Sequence, residues 1–140
     1  MVQIEVAYLG QLRCSAKHGP SGMTLTTDAP LDNKGRGEAF SPTDLLATAL
    51  GSCMLTLMGI RAQERGWGLD GTQLSVQKHM TQSGPRRVQK LEVAIRVPQA
   101  AELDAQARAL LEHAAHTCPV RLSILEAIEV PVRFDWADAR

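Results

Sequence analysis

The chain has 140 residues, 44% of them hydrophobic and 4% aromatic, enough for one domain that buries about two-thirds of its unfolded surface. Fifteen Lys and Arg offset fifteen Asp and Glu, so the formal net charge is zero. No electrostatic excess draws the chain toward a phosphate backbone or an anionic bilayer, and neither nucleic acid nor membrane is an expected partner.

The opening residues MVQIEVAYLG lack the basic and apolar blocks of a signal peptide, and no uninterrupted apolar run approaches the ~18 residues of a membrane span. A cytoplasmic location is expected. Cys14, Cys53 and Cys118 are an odd and widely spaced set, unlike a disulfide framework, and in a reducing compartment they rest as thiols.

Val2, Ile4, Val6 and Tyr8 alternate with polar or small residues, which predicts a strand with one buried face ending near Gly10. Leu12, Cys14 and Ala16 alternate with Arg13, Ser15 and Lys17. MTLTT at 23–27 follows the turn Gly19-Pro20-Ser21-Gly22. A small antiparallel sheet opens the chain, with Cys14 on its apolar face as a core residue. Residues 29–40 read as a loop.

Ser41 is the predicted N-cap of a long helix, with Pro42 at its first position and Asp44 answering the cap as a shortened capping box. Leu46, Leu50, Cys53, Leu57 and Ile60 then recur at helical spacing, flanked by Leu45, Ala49 and Met54, until Gly66. Two dozen residues at 1.5 Å each span roughly 36 Å, so the helix is expected to run through the centre of the domain.

Two strands follow, Leu74 to Met80 and Leu91 to Val97, the second extending back toward Val88, joined as a hairpin through Gly84-Pro85-Arg86-Arg87. A helix from about Ala101 to His116 carries Leu103, Ala107, Leu110, Leu111 and Ala114 on one face. Cys118-Pro119 interrupts it, and a short helical turn resumes beyond. Ile128, Val130, Val132 and Phe134 form a final strand, with Pro131 favouring an edge. Strands in antiparallel clusters between two helices make the class α+β, in a single domain over 1–140.

Cys53 lies deep inside the long helix on its apolar face, where the helix dipole has little hold on it, and reads as a small core hydrophobe. Cys118 stands at a helix break, where exposed N–H groups of the next turn would lower its pKa. By position it is the better nucleophile, with a plain capping role as the competing account. His113, His116 and Cys118 also offer a zinc-ligand spacing, but without CxxC or HExxH support, and two histidines suit a helix C-terminus equally well.

SPTDLLATALGSCM and HTCPVRLSI together resemble the two cysteine segments of the OsmC and Ohr family of thiol-dependent hydroperoxide reductases, a likeness that extends over nearly the whole chain. The resemblance implies antiparallel sheets wrapped around a long central helix in an intertwined homodimer, with close backbone approach at Gly51 and Gly59. It also implies Cys53 as peroxidatic and Cys118 as resolving cysteine, reversing the ranking from position alone, and Arg13 as the thiolate's stabilising partner. The family's peroxidases hold that arginine with a glutamate directly after the helix-starting proline. Here Thr43 occupies that place, leaving Glu38 as the alternative carboxylate, Asp44 as a helix cap, and His18 as a supporting residue or a plain turn histidine.

The implied activity is reduction of organic hydroperoxides to alcohols in oxidative-stress defence, with Leu46, Leu50 and Met54 as apolar walls, no cofactor or metal, and an external dithiol as reductant. The Thr43 departure supports a different expectation: a non-catalytic dimer of the same fold that binds a small apolar ligand or senses thiol-reactive compounds.

Overall fold

The structure, a computed structural model, describes residues 1–137. Its contacts fall into two compact units, Met1–Leu46 and Ala47–Arg140.

The first unit is an antiparallel sheet of β1 (Ile4–Gly10), β2 (Arg13–His18) and β3 (Thr24–Asp28) in that order. Between β1 and β2 the chain turns through two non-glycine residues in the left-handed region, Gln11 at φ 52° and Leu12 at φ 62°. Their handedness matches the twist of a hairpin, at a conformational cost of about 1 kcal/mol or more for each. The turn before β3 is closed by the His18 amide donating to the Met23 carbonyl at 2.8 Å.

One expectation changes here. The alternation in β1 predicted a buried face, yet Ile4, Val6 and Tyr8 are 62%, 66% and 67% exposed, so the apolar side of this sheet is bare in the single chain. Cys14, cross-strand from Tyr8, is half-buried and is not a core residue of the chain.

After the loop at 29–40, Ser41 and Asp44 cap helix α1 (Pro42–Arg65) reciprocally: the Ser41 amide donates to Asp44 Oδ2 at 2.8 Å, and the Asp44 amide to Ser41 Oγ at 3.1 Å. Two otherwise orphaned donors at the helix start are thereby satisfied. Gly66, left-handed at φ 71°, ends the helix, and the Trp67 amide returns to the Ala62 carbonyl at 2.9 Å. By length and by a hydropathy of 1.5, α1 also meets the compositional test for a membrane span, a test that core helices of globular proteins pass as well.

The buried stripe of α1 is Ala47, Leu50, Gly51, Met54, Met58 and Ala62. That is about 100° round the helix from the predicted stripe: Cys53 and Leu57 are only half-buried, and Ile60 is exposed. The small residues explain the rotation. A Cβ on Gly51 would stand 2.7 Å from Leu74 Cδ2 and 3.3 Å from Val76 Cγ2, so the helix packs on its neighbouring strand through a face with little side chain of its own. Gly59, by contrast, has nothing within 4 Å of where its Cβ would be.

In the second unit, β4 (Gln73–Met80) pairs antiparallel with β5 (Val88–Val97), the expected hairpin. The sheet is completed by β6 (Val132–Trp136), which pairs with β5 in parallel. The expectation of purely antiparallel strands fails at this pair because a 3-10 turn (Ala100–Glu102), α2 (Ala105–His116) and α3 (Pro119–Ser123) form the long crossover a parallel neighbour requires. Pro131 stands just before β6, on the sheet edge, where it needs no amide, and its carbonyl accepts the Val93 amide at 2.9 Å.

Helix α2 starts later than expected, because Asp104 takes the N-cap and accepts the Ala107 amide at 2.8 Å. Glu112 and Arg108 hold Trp136 of β6. The indole Nε1 donates to Glu112 Oε1 at 3.0 Å, and the Arg108 guanidinium lies 5.6 Å from the indole centroid.

Candidate functional site

Two groups of the expected site residues are brought together, one in each unit. In the second unit, Cys118 is fully buried and is the N-cap of α3, with φ −65° and ψ 146°, and its Sγ accepts the Arg121 amide at 3.4 Å. Cys53 of α1 is half-buried and near enough to Cys118 to push the Cys118 thiol up.

The cap position does not give Cys118 the lowered pKa expected for it. Burial pushes the thiol up and the neighbouring Cys53 pushes the same way, while the Arg121 and Val120 amides pull it down without prevailing. Cys118 is thus held as a neutral thiol.

Leu50 and Met54, expected as pocket walls, are fully buried against the core, which follows from the rotation of α1; Leu46 is half-buried. A groove of about 530 Å³ lies on the β4–β6 sheet beside Ser75, Arg96 and Arg133, and its lining includes no residue of α1. Among the described residues no group of three His, Cys, Asp or Glu side chains is placed to hold a metal. The His116 ring instead packs edge-on to Phe134, with centroids 6.0 Å apart.

In the first unit, Arg13 begins β2 directly opposite Asp28 at the end of β3. Its Nη2 donates to Asp28 Oδ2 at 3.3 Å and to Glu38 Oε2. The two carboxylates differ sharply in setting: Asp28 is fully buried, whereas the Glu38 side chain is 59% exposed. Asp28 Oδ2 also accepts the Glu38 amide at 3.0 Å, so one carboxylate ties the loop to the strand.

These partners reinforce each other's charge. Glu38 and then Asp28 hold the Arg13 guanidinium above its already high value. The Glu38 amide, assisted by Arg13, draws the Asp28 carboxyl below its ordinary range against the opposing effect of burial.

The other expected residues take local roles. His18 Nδ1 lies 2.6 Å from Ser21 Oγ within the β2–β3 turn. Asp44 is the helix cap described above, and Thr43 Oγ1 lies 3.2 Å from Ser41 Oγ.

Asp28 is the residue that sequence reasoning passed over, although the signal was present. The turn over Gly19 to Gly22 pairs His18 with Met23, and counting outward along an antiparallel ladder places Arg13 against Asp28. A buried carboxylate opposite an arginine was therefore legible from the register.

With this geometry in place, the profile of the OsmC-like protein family matches residues 35–133. The chain belongs to the OsmC-like family. A crystal structure from Psychrobacter arcticus 273-4, named for osmotic stress induction and a detoxification response, is similar at 46% identity over 96% of each chain, with a TM-score of 0.89. Two more distant structures share the fold of this OsmC-like chain. The organic hydroperoxide resistance protein OhrB of Bacillus subtilis is 14% identical at a TM-score of 0.70, over 96% of this chain and 97% of that one. An organic hydroperoxide resistance protein of Vibrio cholerae, with captopril in one of its active sites, is 20% identical at a TM-score of 0.75, over 96% and 90%. No match is found among curated proteins.

Proposed function

We propose that this OsmC-like chain reduces organic hydroperoxides to alcohols by a two-cysteine cycle, as a cytoplasmic oxidative-stress enzyme. One observation carries the reading: two thiols distant in sequence, Cys53 and Cys118, lie in one compact unit, near enough for Cys53 to push the Cys118 thiol up. Hydroperoxide resistance in the names of structural relatives supports the substrate class.

In the cycle, the Cys53 thiolate attacks the distal oxygen of ROOH. An S–O bond forms, the O–O bond breaks, and the alkoxide takes a proton and leaves as alcohol. Cys118, after losing its proton, attacks the sulfenic sulfur, an S–S bond forms, and the hydroxyl leaves as water. An external dithiol returns the two electrons by exchange.

Arg13 is assigned charge stabilisation of the Cys53 thiolate, with Glu38 as the carboxylate that orients the arginine in place of the residue at Thr43. The working form is a homodimer, in support of which the apolar face of β1 and the open side of Gly59 lack any covering within the single chain.

Stopped-flow mixing with cumene hydroperoxide tests the reading. Wild type is expected to form a Cys53–Cys118 disulfide far faster than a model thiol reacts, and Cys53→Ser to lose all turnover. Oxidation no faster than that of free cysteine sinks the assignment. The Thr43 departure sustains the other reading, a dimer that binds a small apolar ligand or senses thiol reagents; a ligand retained through purification beside unreactive cysteines would establish it.

A further inference from the structure

We infer that Asp28 is the positioning residue for Arg13, a fixed counterion that holds the guanidinium in place whether or not Glu38 is bound to it. The inference rests on the proposed role of Arg13 toward the Cys53 thiolate and adds a residue to that site.

Both carboxylates take the same nitrogen, Nη2, so they are not two halves of a fork but two acceptors at one end of the guanidinium. Their freedom is unequal. Asp28 is fully buried, sits on the strand paired directly with that of Arg13, and accepts the Glu38 amide at 3.0 Å. Glu38 is exposed and directly follows left-handed Gly37 on the loop, and an exposed ion pair contributes little once water competes.

A charge that leaves its buried partner is costly, whereas one that leaves a solvated partner is not. Glu38 is therefore the weaker of the two arms. Asp28 also couples the arginine to the backbone of residue 38, so that neutralising it loosens the guanidinium and that end of the loop together. The Arg13 Nε is buried without a protein acceptor, which leaves the Nη2 contacts to restrain the guanidinium plane.

The test reads Cys53 alkylation by iodoacetamide against pH, resolved by peptide mass spectrometry, in wild type, Arg13→Gln, Asp28→Asn and Glu38→Gln. Arg13→Gln and Asp28→Asn are expected to slow alkylation about tenfold near neutrality, and Glu38→Gln no more than about threefold. If Arg13→Gln slows alkylation and Asp28→Asn only lowers the melting temperature, the positioning role is overturned while the reading of Arg13 stands. If Arg13→Gln itself leaves the profile unchanged, both fall.

A second measurement does not need the Asp28 variant to fold. In Glu38→Gln, NMR of the Arg13 Nη groups should still show rotation slower than that of the exposed Arg133. Rotation as free as that of Arg133 would show that Asp28 does not hold the guanidinium.

Discussion

The Cys118 sulfur accepts the Arg121 amide at 3.4 Å, so the resolving thiol of the proposed cycle is also the cap of α3. Serine preserves an acceptor for that amide and alanine does not. Cys118→Ser is expected to stay within about 1 kcal/mol of wild type in urea unfolding, with Cys118→Ala about 1 kcal/mol less stable than the serine variant. Equal midpoints would show that the sulfur contributes nothing as a cap. In peroxide the folded serine variant should accumulate overoxidised Cys53 or mixed disulfides.

The rotation of α1 predicts unequal losses on two of its sides. Leu50→Ala empties a fully buried position and should cost about 2–5 kcal/mol, while Ile60→Ala, on the exposed side, should cost well under 1 kcal/mol in the isolated chain. Thermal melts at two protein concentrations check this: a large, concentration-dependent loss in Ile60→Ala would mean that a second chain covers that side.

The two helix glycines separate in the same way. Gly51→Leu forces a side chain against Leu74 and Val76 and should destabilise by about 1–3 kcal/mol. Gly59→Ala meets nothing in the chain and should gain up to about 1 kcal/mol of helix propensity. Chemical denaturation of each variant decides it; a destabilised Gly59→Ala that also dissociates on gel filtration would place a neighbouring backbone there.

Two of the shifted groups, Asp28 and Cys118, set opposite edges to stability. Asp28 is held below its ordinary value of 3.8, chiefly by the Glu38 amide, so its contribution is present above that value and is lost as pH falls through the folded-state pKa. Cys118 is pushed above 9.0, chiefly by burial, so its contribution is present below that value and is lost as pH rises through the folded-state pKa. Urea midpoints measured through the acid range should fall less steeply for Asp28→Asn than for wild type. Parallel acid limbs would contradict the lowered pKa.

Much of this arrangement was legible in the chain because local rules governed it. The Ser41 and Asp44 cap, the β4–β5 hairpin and the capping place of Cys118 each depend on residues close in sequence. The buried side of α1 was not, because a stripe count rewards large apolar residues, and here Ala47, Gly51 and Ala62 define the contact by being small. The parallel placement of β6 was hidden for another reason: alternation marks a strand but does not say which neighbour it will take. The cysteine contact came from family resemblance, since spacing alone ranked Cys118 first and left Cys53 as packing.

The parallel pairing of β6 also orders the birth of the fold. A hairpin such as β4–β5 can zip as soon as it is made, but β5 must wait for everything through Trp136 before its other edge is filled. A nascent chain therefore leaves the ribosome with the Val88–Val97 edge open until late in synthesis, and it is in that interval that a sheet of this design is most exposed to pairing with the wrong strand.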